Sequence, residues 1–60
     1  MNQYEIKVKS NVDWGEPVLV RILSKDKIAD STLNRIKEKN LDEARRYCQN
    51  ILKATFLVIQ

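Results

Sequence analysis

Histidine is absent from this 60-residue chain, and cysteine, glycine and proline occur once each. Without histidine the commonest general base and metal ligand is missing, so Ser-His and Cys-His catalytic pairs and histidine-bearing zinc sites are excluded. The single cysteine, Cys48, cannot form a disulfide within the chain. A lone thiol fits a reducing compartment, so the expected location is the cytoplasm. One glycine leaves no material for a Gly-rich phosphate loop. The longest apolar run, residues 56–59, is far shorter than the roughly 20 residues that cross a bilayer. The opening stretch Met1 to Glu5 lacks the basic leader and apolar core of a signal peptide. No membrane partner is expected.

Carboxylates are the remaining source of chemistry. Asp13 and Glu16 offer two oxygens on either side of Trp14, but no third metal ligand accompanies them. Asp26 and Asp30 lie in a lysine-rich segment at a helix start, where negative charge suits the positive end of the helix dipole. The expectation is therefore a chain with no enzymatic activity, no metal, no cofactor and no small-molecule substrate.

What the sequence does contain is a pattern. Tyr4, Ile6 and Val8 alternate with Glu5, Lys7 and Lys9, the period of a half-buried strand, predicted over 3–10. The only glycine and proline fall together in Trp14-Gly15-Glu16-Pro17, which punctuates a loop. Val18, Val20 and Ile22 then alternate with Leu19, Arg21 and Leu23, predicting a second strand over 17–23. From there the spacing of Ala29, Leu33 and Ile36 changes to that of a helix, predicted over 27–38. Asn40 reads as the cap of a second helix over 41–53, with Leu41, Ala44, Cys48, Ile51 and Leu52 on its buried stripe. On that stripe Cys48 is expected to be a small buried thiol and not a nucleophile. Thr55 to Ile59, β-branched and apolar on both faces, is predicted to be a third strand, the least exposed of the three and a candidate for the central position.

The order ββααβ defines one α+β domain of two layers: a three-stranded, mainly antiparallel sheet with helices on one face. A domain this small buries only roughly 60% of the surface its unfolded chain exposes, so a second copy of the chain is one route to stability. Tyr4, Ile6, Val8, Val18, Val20, Ile22, Phe56 and Val58 form the expected helix-facing set. The opposite parity leaves Leu19, Leu23, Leu57 and Ile59 beside Arg21 on a face that no further layer covers. Contiguous apolar surface of that kind marks interfaces. Trp14, in the loop, is either a partner anchor or a lid folded over the end of the core.

Net charge is +3, and the whole excess falls in residues 24–60. Lys7 and Lys9 on the first strand, with Arg45, Arg46 and Lys53 on the second helix, are the candidate phosphate contacts for a nucleic-acid reading. The open face, however, carries aliphatics where an aromatic-stacking RNA sheet would carry Phe or Tyr.

The strand, the Leu41-Asp42-Glu43-Ala44 helix and the closing strand together resemble the second half of the small host RNA-polymerase inhibitors of T7-like phages. The resemblance covers about a third of the chain, which departs from it by being basic and by carrying the earlier helix. It implies a phage-encoded protein acting in the host cytoplasm, which blocks a larger protein by occupying a surface. Three readings follow in order of support: a protein-binding regulator or inhibitor using Trp14, Leu19, Arg21, Leu23, Leu57 and Ile59; a basic nucleic-acid-binding accessory domain; and a homodimerising structural domain.

Overall fold

The computed structural model describes residues 1–12 and 14–59. Among them the chain forms β1 (Asn2–Val8), β2 (Val18–Ser24), α1 (Asp30–Glu38), α2 (Leu41–Asn50) and β3 (Thr55–Val58). The order is the expected ββααβ, and both strand pairs are antiparallel. No helix among the described residues is long and apolar enough to cross a membrane.

Alternation fixes the register of the hairpin. Tyr4 stands opposite Ile22, Ile6 opposite Val20 and Val8 opposite Val18, so one parity of both strands faces the helices. Ile6, Val8, Val20, Ile22 and Phe56 form the sheet side of the core, and Ile36, Ala44 and Cys48 close it from above. The small side chains of Ala44 and Cys48, both fully buried, let α2 approach the strands closely.

Strand order corrects the expectation for the last strand. The sheet runs β1-β2-β3, so β2 is central and β3 is an edge. Nor is β3 the least exposed strand: Phe56 is buried, but Leu57, Val58 and Ile59 are 45%, 54% and 44% exposed. Both β2 and β3 are apolar on both faces, which made them equivalent in the sequence. The β1–β2 hairpin resolves the tie, because β3 could lie between those two strands only by breaking a pairing that a short loop makes local.

Val58 shares the helix-facing parity of Val20, its cross-strand partner, yet it is not core. The first residues of α2 lie at the β1 side, where Lys9 and Asn40 form a parallel bridge. The helix then crosses to β3 further along, leaving the corner above Val58 open.

Helix boundaries also shift for identifiable reasons. The first helix starts at Asp30 instead of 27, because the Ile28 N–H donates to the Tyr4 hydroxyl at 2.8 Å while the Ile28 side chain is buried. Burying an isoleucine contributes about 2 kcal/mol, more than an extra helical turn would return. Ala29 consequently caps α1 in extended conformation and is exposed. The break at Asn40 is as expected: its side chain accepts the Glu43 N–H at 2.9 Å. The Asn11 side chain accepts the neighbouring Asp42 N–H at 3.0 Å, which ties the β1–β2 loop to the start of α2. At the other end α2 stops at Asn50 rather than 53. Lys53 adopts a left-handed φ of 53°, and the Ala54 N–H turns back to the Cys48 carbonyl at 2.9 Å. Ala54 is thereby buried, and Ile51, expected on the buried stripe, is 66% exposed.

Candidate protein-binding face

The face of the sheet opposite the helices is built from three cross-strand rows. Gln3, Leu23 and Thr55 form one, Glu5, Arg21 and Leu57 the next. Lys7, Leu19 and Ile59 form the third, in which the Ile59 N–H donates to the Leu19 carbonyl at 2.9 Å. The four aliphatics singled out from sequence are thus brought together on β2 and β3.

Their exposure is uneven. Leu19 and Leu23 are half-buried, while Leu57 and Ile59 are exposed. No second layer causes this difference. A central strand has side chains beside it on both flanks, and an edge strand on only one, so lateral neighbours shelter Leu19 and Leu23. Apolar exposure therefore concentrates on β3.

Arg21 sits between Glu5 and Leu57 in the middle row. Its guanidinium turns to Glu5, with Nη2 at 2.8 Å and Nε at 3.3 Å from the same carboxylate oxygen. The charge is drawn toward β1 and away from Leu57, which leaves the β3 side of the face without ionic character.

Trp14 is 86% exposed, so it does not fold over the core. Its loop is held at the base by the Asn11 contact and by a turn in which the Gly15 N–H donates to the Val12 carbonyl at 3.1 Å. Gly15 is required there by close approach: a Cβ would stand 2.2 Å from Ser10 Oγ. Asp13 lies outside the described residues, so the two-oxygen arrangement with Glu16 has no geometry. Among the described residues no group of acidic or thiol side chains is placed to hold a metal ion.

The candidate phosphate contacts are partly neutralised and spread over three elements. Arg45 pairs with Asp42 at 2.8 Å and Arg46 pairs with the other oxygen of the same carboxylate, so two cations share one anion on α2. Lys7 and Lys9 are exposed at the β1 edge of the sheet, where Lys9 bridges Asn40 beside the start of α2, and Lys53 lies in the turn beyond the other end of α2. Lys39 is placed over the Tyr47 ring at 5.2 Å, an additional link between the two helices.

Cys48 is completely buried on α2, as its stripe position implied. Burial pushes its thiol up to about 11, so the protonated, unreactive form dominates at neutral pH. An open depression of about 370 Å³ at the far end of β2 is lined by Ser24, Asp26, Lys27, Ile28, Thr32 and Leu52.

Compared with known protein families, characterised proteins and solved structures, the chain matches none.

Proposed function

We propose that this chain is a non-enzymatic protein-binding regulator or inhibitor that engages a partner protein through the open sheet face, with Leu57 and Ile59 at its centre and the Trp14 loop alongside. The observation that carries the reading is the exposure of Leu57 and Ile59 on a sheet face that no helix covers, together with the 86% exposure of Trp14 in the β1–β2 loop. Tryptophan anchors and desolvatable aliphatics dominate binding energy at protein interfaces. The absence of histidine and the protonated state of the only thiol favour binding over catalysis. Its action is occlusion of a partner surface, the mode implied by the resemblance to phage inhibitors, and the single thiol favours a reducing cytoplasm as its setting.

Photo-cross-linking tests this directly. A photoreactive residue at position 57 or 14 is expected to yield a discrete protein adduct in extract of the cells that make the chain, and the adduct should survive nuclease. The same group at Arg35, on the outer side of α1, should yield none. An adduct that disappears with nuclease would transfer the function to the nucleic-acid reading, and no adduct from either site would remove the protein-binding reading.

A further inference from the structure

The open edge of β3 carries a second, more specific consequence. In an antiparallel pair the hydrogen-bonding residues alternate. Because Ile59 bonds Leu19 across the ladder, residues 55, 57 and 59 direct their N–H and C=O groups at β2. Phe56 and Val58 therefore direct theirs outward, from the edge of the sheet.

Natural sheets guard such edges with charge, proline or bulges. The β1 edge is guarded, since Glu5, Lys7 and Lys9 are exposed along it. The β3 edge is not: Thr55-Phe56-Leu57-Val58-Ile59 has no charge, proline or glycine. The nearest cation on the open face, Arg21, is turned away to Glu5.

We propose that the β3 edge pairs antiparallel with the β3 edge of a second copy of this chain, about a two-fold axis at Leu57. In that register Phe56 of one copy faces Val58 of the other, and each pair exchanges both backbone hydrogen bonds. Leu57 faces its own counterpart in the closer, non-hydrogen-bonded pair, where Cα atoms approach to about 4.5 Å. The open faces then join into one six-stranded surface whose middle row reads Glu5, Arg21, Leu57, Leu57, Arg21, Glu5. No like charges meet at the seam, and the half-exposed Val58 gains a neighbour. A two-fold contact must be self-complementary, and an uncharged strand with outward-facing bonds on both sides of Leu57 meets that demand.

Stable interfaces bury about 800 Å² on each partner. One short strand edge with three half-exposed aliphatics supplies less, so the dimer is a concentration-dependent one. The inference rests on the reading of β3 as an interface but names a different occupant, and it is tested on purified protein alone, so its failure leaves capture of a foreign protein untouched.

Sedimentation equilibrium of the full chain is expected to show a monomer–dimer equilibrium. Amide exchange at Phe56 and Val58 should slow as concentration rises, while that at Leu57 and Ile59, already bonded to β2, should change little. Leu57→Lys and Leu57→Glu should each be monomeric by like-charge repulsion at the axis, and their equimolar mixture should dimerise. A monomer at every concentration, or a dimer in which the Phe56 and Val58 amides exchange as in the monomer, would overturn the proposal. So would a dimer retained by Leu57→Lys alone. If both variants unfold, the exchange pattern of the unmodified chain decides by itself.

Discussion

The Tyr4 hydroxyl accepts the backbone N–H of Ile28 at 2.8 Å, joining the first strand to the segment that leads into α1. Removing that oxygen leaves a partly buried amide unpaired, which costs about 1–2 kcal/mol. Tyr4→Phe should therefore lower stability by that amount in urea denaturation, with exchange of the Ile28 amide accelerating more than that of β2. Equal acceleration throughout would mean that the bond does not act locally.

Ile22 and Leu57 lie on the central and edge strands and have opposite standing. A domain of this length holds about 3–9 kcal/mol of stability in total. Ile22→Ala, at a completely buried site, should cost about 2–5 kcal/mol and leave much of the population unfolded at 37 °C. Leu57→Ser should cost under about 1 kcal/mol, because nearly half of the side chain is already in water. Thermal melts followed by circular dichroism separate the two, and comparable losses would place Leu57 in the core.

Lys53 holds a left-handed backbone that costs a non-glycine residue roughly 1–2 kcal/mol. Lys53→Gly removes that strain and adds about 0.5–1 kcal/mol of unfolded-state entropy, so a net gain of about 0.5–1 kcal/mol is expected. A drop in the denaturation midpoint would show that the lysine side chain contributes something beyond its backbone.

Cys48 makes stability depend on alkaline pH. Its thiol pKa rises from 9.0 in an unburied setting to about 11 in the fold. As pH climbs, the unfolded chain ionises first, so the thiol's contribution is complete below about pH 9 and is lost progressively toward 11. Denaturation of the unmodified chain should weaken more steeply over that window than that of Cys48→Ala. Parallel curves would mean that the thiol is not desolvated.

Much of this fold was legible because periodicity and capping are local signals. Tyr4-Ile6-Val8 and Val18-Val20-Ile22 declared their inward parity, and Asn40 declared the second helix by the bond its side chain makes. Where reading failed, a tertiary contact had outweighed a local preference. Ile28 is held straight by a hydroxyl 24 positions away, and the reversal at Lys53 brings Ala54 into the core while Ile51 at the helix end is left exposed. The candidate face was legible as a set of four aliphatics but not in its distribution. Which strand is central depends on pairing, and pairing decides that Leu19 and Leu23 are sheltered while Leu57 and Ile59 are not.

The strand order also dictates an assembly sequence. Hairpin residues meet across a short loop, whereas β3 must find β2 partners roughly 30 to 40 positions earlier in the chain. Closing the larger circuit costs more chain entropy and becomes favourable only once the intervening helices have shortened it. The final strand is then the last to dock and the first to detach. Its greasy segment would be bare in the nascent state, when a newly synthesised chain is most prone to stick to its neighbours.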